Sequence, residues 1–225
     1  MISILNEHFL IISALIILCF GIIYRFATYL NFPSISYAIN TLTILALVSS
    51  LFIIGVDISI MSIQFNSIFI KDHTTVLVEI ITILIGIGVI ATTNRYNQKE
   101  KITHFEYIIL LIFVLISIQL LITTEELFSF YLILEFQSIC FYILASLKKN
   151  KYSIEASIKY FIIGSFASII LLLGFSFLYG VSGLTKFEDL SIFFMSNYNN
   201  SDISTLVTYG SVSYTHLTLP TIYSV

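Results

Sequence analysis

Hydrophobic residues run along this chain in long, nearly unbroken blocks separated by short polar connections. Six blocks come near the roughly 20 apolar residues that a helix needs to cross a bilayer. They are Phe9–Phe26, Tyr37–Val56, Thr74–Thr93, Phe105–Ile122, Leu127–Leu147 and Ala156–Tyr179. The expected fold class is all-α: a polytopic transmembrane helix bundle with six spans. Between the second and third blocks, Asp57–His73 mixes polar with apolar positions (Met61, Ile63, Phe65, Ile68, Phe69, Ile70). It is expected to be a surface loop or a short helix lying on the membrane. Tyr198–Ser204 is polar and turn-like. The N-terminus lacks the basic segment of a signal peptide and places Glu7 and His8 before the first block. That block is read as a helix retained in the mature protein.

The connections carry an alternating charge. Tyr24–Ser36, Asn94–His104 and Lys148–Glu155 fall on one side of a six-helix path and hold seven basic residues: Arg25, Arg95, Lys99, Lys101, Lys148, Lys149 and Lys151. The opposite side has two, Lys71 and Lys186, among Asp57, Asp72, Glu125, Glu126, Glu188 and Asp189. Basic loops are retained on the cytoplasmic side, or the matrix side of a mitochondrion. Both ends of the six-helix path then lie on the other, acidic face.

Composition agrees with this picture. The 225 residues are 58% hydrophobic and only 10% charged, against about 25% charged in a soluble domain. A net charge of −3 without a basic run excludes nucleic acid as a partner. Trp is absent, so Tyr and Phe must form any interfacial belt. Cys19 and Cys140 fall inside apolar blocks and are read as buried thiols. His8, His73, His104 and His216 stand singly, so no metal site is expected. No nucleophile–base pair or redox-cofactor motif appears.

The candidate chemistry lies in charges placed where charge is costly. Glu135 sits eight residues into the fifth block, about 12 Å along a helix axis. A carboxylate at that depth costs at least about 2.5–3.5 kcal/mol on insertion scales, and by default marks a function. It is read as a proton-exchanging group; the structural alternative is a neutral Glu whose hydrogen bonds join two helices. Lys159 lies four residues into the sixth block, about 6 Å below the basic face. It suits a proton relay or, equally, a lysine that returns its ammonium to the interface. On antiparallel neighbours the two charges differ by about 12 Å in depth, which argues against a direct salt bridge. Glu79 is five residues into the third block and is read as a shallow carboxylate reaching the interface. Glu125 and Glu126 can favour the N-terminus of the fifth helix through its dipole. Gly86 and Gly88 are assigned to packing, and Gly164 with Ser168 to a close helix contact.

Two motifs match a family. Tyr131-Leu-Ile-Leu-Glu-Phe-Gln-Ser-Ile-Cys-Phe-Tyr-Ile-Leu-Ala-Ser146 is followed by Tyr152-Ser-Ile-Glu-Ala-Ser-Ile-Lys-Tyr-Phe-Ile-Ile-Gly164. Together they resemble the chain 2 family of respiratory NADH–ubiquinone oxidoreductase (complex I), N-terminal portion. Leu171-Leu-Leu-Gly-Phe-Ser-Phe-Leu-Tyr-Gly180 and Gly183-Leu-Thr-Lys-Phe-Glu188 are similar to its mitochondrial form in plants and protists. The resemblance is strong over about 105–190 and mostly hydropathic before it. It implies an antiporter-like subunit of a proton-pumping membrane arm, in the mitochondrial inner membrane, with Glu135 and Lys159 as proton-pathway residues. It further implies no cofactor in this chain, with NADH, FMN, iron–sulfur clusters and ubiquinone held by other subunits. Its partners would be the other membrane-arm subunits and the lipid bilayer. The rival readings are a cation/proton antiporter subunit and a non-catalytic membrane fragment.

The expected division is a three-helix segment over 1–104, the start of an antiporter-like repeat over 105–190, a polar connector over 191–212 and a tail over 213–225. The family continues into a seventh helix with a central lysine, a broken helix and a second, inverted repeat, so the chain is expected to be a truncated, incomplete antiporter-like fold. The Thr-rich tail departs from the Ile- and Phe-rich bias and resembles translated sequencing-adapter read-through. It is expected to be non-native.

Overall fold

The computed structural model describes residues 5–28, 35–57, 62–64, 68–99, 106–196 and 212. Among these residues seven helices and a hairpin follow in the order α1 (Leu5–Thr28), α2 (Ile35–Asp57), β1 (Ser62–Gln64), β2 (Phe69–Lys71), α3 (His73–Lys99), α4 (Glu106–Thr123), α5 (Leu127–Ser146), α6 (Lys151–Ser182) and α7 (Phe187–Ser196). The six apolar blocks become α1–α6, each long and apolar enough to cross a membrane. Tyr198–Ser204 and the tail 213–225 lie outside the described residues.

The bundle is built around α4. It packs on α1, α2, α3 and α5, and half of its span is buried, against 11% for α5. Its sequence, Ile-Ile-Leu-Leu-Ile-Phe-Val-Leu-Ile over 108–116, is apolar on every side, as a helix surrounded by others must be. Ile108, Ile109, Ile112 and Ile116 join a core with Leu10, Ala14 and Ile17 of α1, Ile39, Leu47 and Ile54 of α2, and Ile83 and Ile90 of α3. Leu110 and Val114 instead meet Cys140 of α5. Helices in lipid associate through close packing rather than the hydrophobic effect. Gly86 supplies such a contact: a Cβ there would overlap the Leu115 side chain of α4.

The α6 helix packs chiefly on α5. The Asn150 side chain begins it by accepting a 2.8 Å hydrogen bond from the Ser153 N–H. Gly183 ends it at φ 66°, donating its N–H to Tyr179 at 2.7 Å. The 32 residues between span about 48 Å, well beyond the roughly 30 Å hydrocarbon core. Leu127, Leu171, Phe175 and Leu190 then tie α5, α6 and α7 together.

Among its described residues, the stretch 57–73 is neither a plain loop nor a membrane-surface helix. It contains an antiparallel hairpin with Ser62 opposite Lys71, Ile63 opposite Ile70 and Gln64 opposite Phe69. Backbone polar groups next to an apolar bundle need partners, and the hairpin supplies them locally. Its turn continues the pairing: Ile68 accepts from the Glu125 N–H at 2.7 Å, and Phe69 bridges Thr124. Beyond them, Leu127 donates to Thr185, Phe187 donates to Glu125, and Glu126 bridges Lys186. Three connections on the acidic side are thereby laced into one layer. Burial, with Glu188 and Asp72 nearby, pushes the Glu125 carboxyl above its ordinary range. Glu126 takes the N-cap position of α5, but its carboxylate accepts from the Ser129 hydroxyl (2.9 Å) and makes no capping bond to the backbone.

Candidate functional site

A cavity of about 190 Å³ opens between α5 and α6. From α5 it is lined by Tyr131, Leu134, Glu135, Ser138 and Tyr142, which recur at helical spacing on one face. From α6 it is lined by Tyr160, Gly164, Ala167, Ser168 and Leu171. Gly164 and Ser168, assigned from sequence to a close helix contact, are therefore the small residues that make room here. A Cβ at Gly164 would overlap the Tyr142 hydroxyl. Tyr142 is held edge-on by Tyr160 (4.9 Å between ring centroids) and Phe161 (5.6 Å).

Glu135 is partly buried in this cavity, with Tyr131 and Tyr142 beside it. A carboxylate among tyrosine and serine hydroxyls has partners for both protonation states, since a hydroxyl donates to the ionised form and accepts from the neutral one. Gln137, two residues on from Glu135, does not line the cavity.

Lys159 is placed elsewhere. Its ammonium lies 2.7 Å from Glu155 Oε1, one helical turn back, with the two side chains 69% and 54% exposed. It is on α6 but not among the residues lining the Glu135 cavity. The excess length of α6 allows this pair to stand toward the basic end.

A second group of charges was not anticipated. Glu79 is not a shallow carboxylate reaching the interface: it is completely buried. Lys71, at the end of β2, enters the bundle and places its ammonium 2.8 Å from Glu7 Oε1 and 3.2 Å from Glu79 Oε1. All three residues are under 9% exposed. Burial alone would lower the Lys71 pKa, but the two carboxylates outweigh it and hold the group above its ordinary value of 10.5. The available signal was the scarcity of basic residues on this face, where an ammonium eight residues before an intramembrane carboxylate merited pairing. Among the described residues, no group of three or more His, Cys, Asp or Glu is arranged to hold a metal ion.

Residues 124–215 match the family model described as NADH:quinone oxidoreductase/Mrp antiporter, TM. NADH-ubiquinone oxidoreductase chain 2 of Marchantia polymorpha is 30% identical over 191 residues, 84% of this chain and 39% of that protein. By the family match the segment 124–215 is that of the NADH:quinone oxidoreductase/Mrp antiporter family. NADH-quinone oxidoreductase subunit N of Paramagnetospirillum magneticum is a further relative, 29% identical over 89% of this chain and 40% of its own length. The chain thus spans about two fifths of the curated relatives it matches. The antiporter-like fold recurs in solved structures. Respiratory complex I from Thermus thermophilus with bound aureothin superposes with a TM-score of 0.65 at 19% identity, over 80% of this chain and 38% of that one. The membrane-bound sulfane sulfur reductase, an archaeal respiratory membrane complex, gives 0.71 at 20%, over 95% and 43%. The family match begins at Thr124, just before α5, and so includes Glu135 and Lys159.

Proposed function

We propose that this chain supplies the opening part of a proton-translocating membrane-arm subunit of NADH:ubiquinone oxidoreductase, in the mitochondrial inner membrane with its basic loops toward the matrix. The observation that carries the reading is the position of Glu135: an ionisable group at mid-span in a hydroxyl-lined cavity, inside the part of the chain that the family match covers. In this reading Glu135 takes up and releases a proton, with the Tyr131 hydroxyl beside it as a partner in either state. Lys159, neutralised by Glu155 at the basic end of α6, relays charge between that face and the cavity. The stretch 105–190 forms the start of the antiporter-like repeat after a three-helix segment. NADH oxidation and quinone reduction belong to other subunits of the complex. Those subunits and the surrounding lipid are the partners.

The test is Glu135→Gln in the assembled complex. The expected outcome is normal assembly with proton translocation and quinone reductase activity both lowered severalfold. Activity at the unsubstituted level would remove Glu135 from the pathway. The family also embraces Mrp antiporters, which supports a second reading as a cation/proton antiporter subunit. Co-purification with redox subunits separates the two.

A further inference from the structure

Far from the Glu135 cavity in sequence, two carboxylates share one ammonium at the acidic end of the bundle. Lys71 Nζ is 2.8 Å from Glu7 Oε1 and bonds Glu79 Oε2 at 3.3 Å. Glu79 Oε1 lies 3.2 Å from the same nitrogen but out of line, and it has no hydrogen-bond donor among the described residues. Counted as fully ionised, the three side chains leave one uncompensated negative charge. An unpaired charge is what a low-dielectric interior tolerates least, and two carboxylates sharing a site do not both ionise freely.

Among the described residues, the charged groups acting on Glu79 are Lys71 and Glu7. His8 on α1 is exposed. At this end α2 brings Asp57, an acid whose side chain lies outside the described residues. The hairpin and the start of α3 bring Asp72 and His73, both partly or fully exposed, and the acidic layer brings Glu125. From α4 come the neutral, buried Gln119 and Thr123; its ionisable groups, Glu106 and Tyr107, are at the opposite end. Glu7 is in the first turn of α1, where the helix dipole favours its ionised form. Glu79 is seven residues into α3, beyond that help.

We infer that Glu7, Lys71 and Glu79 form a second proton-binding site, holding one exchangeable proton between the two carboxylates, chiefly on Glu79 Oε1. The site is independent of the role given to Glu135. It faces the acidic side of the membrane, where Lys71 and Glu7 retain slight access to water.

The test is infrared spectroscopy of the full chain in lipid nanodiscs at neutral pH, reading the protonated-carboxyl stretch by its shift in D₂O. Glu135→Gln serves as the background, and the site is read from the difference between that background and each further variant, which cancels carboxyls elsewhere such as Glu125. In that background the site is expected to show one protonated carboxyl. Either Glu79→Gln or Glu7→Gln should abolish it, because one carboxylate then pairs with one ammonium. Lys71→Met should instead increase the band. The amide band of the same samples reports whether the helices have formed. Should a carboxamide variant fail to fold, raising the pH of the background protein must remove one proton's worth of the band. A band unchanged by both substitutions, or lost with Glu79→Gln alone, overturns the shared site, whatever Glu135→Gln does to proton translocation.

Discussion

Gly164 is where one missing methyl group shapes the cavity. On α6 it faces Tyr142, whose hydroxyl occupies the space a Cβ would need. Gly164→Ala is therefore expected to swing the Tyr142 ring off Tyr160 and Phe161 and to cost about 1–3 kcal/mol, the usual penalty of overpacking. Gly88→Ala is the matched control, because a Cβ there meets nothing within 4 Å. Unfolding in mild detergent should separate the two variants; equal stabilities would mean that Tyr142 relaxes freely. Side-chain identity at Gly164 was readable as a small residue on a helix face. That its neighbour was a tyrosine beside Glu135 was not, because either face of so apolar a helix could have met α5.

At the scale of elements, α6 shows local sequence deciding where a helix begins and ends. Asn150 accepts from the Ser153 N–H, and Gly183 adopts the left-handed conformation that closes the last turn. Asn150→Ala should cost about 1 kcal/mol, and Gly183→Ala about 1–2 kcal/mol through the steric cost of that conformation. Amide exchange should quicken at the first turn in one variant and the last turn in the other. Exchange spread evenly along α6 would argue against capping as the cause. The helix starts at Lys151, within the connection read from sequence as Lys148–Glu155, because the Asn150 cap outweighs the polarity of the residues after it. The hairpin was missed for the opposite reason. Its two strands are three residues each, too short for an alternating pattern, and pairing with Thr124 and Glu125 supports them from outside.

For the whole molecule, Lys71 is a tie between segments distant in sequence. It joins the hairpin to α1 and α3 at one end of the bundle. Lys71→Met leaves the buried pair of Glu7 and Glu79, which shares one proton, without its cation, and is expected to lower stability at neutral pH by up to roughly 3–5 kcal/mol. The pH dependence follows from the direction of the shift. The pKa of Lys71 is higher in the folded chain than its ordinary 10.5, so its stabilisation is complete below that value. It is lost as pH rises through the higher, folded-state value. Unfolding measured from neutral to strongly alkaline pH should show this decline in the unsubstituted chain and not in Lys71→Met; parallel curves would assign the alkaline loss to other groups.

Sequence alone determined the six crossings and singled out Glu135, since both follow from the bilayer as solvent. Its hydrocarbon thickness sets the length of an apolar block, and its low polarity makes a mid-span carboxylate conspicuous. Which charges meet was decided only by tertiary structure. Lys159 turned to Glu155 on its own helix, whereas Lys71 gathered Glu7 and Glu79 from two others. In water, an amphipathic stripe shows which face of a helix turns inward. These helices are apolar nearly all round, so the faces are chosen by shape: Gly86 against Leu115, and Gly164 against Tyr142. That packing put Lys71 within reach of both buried carboxylates.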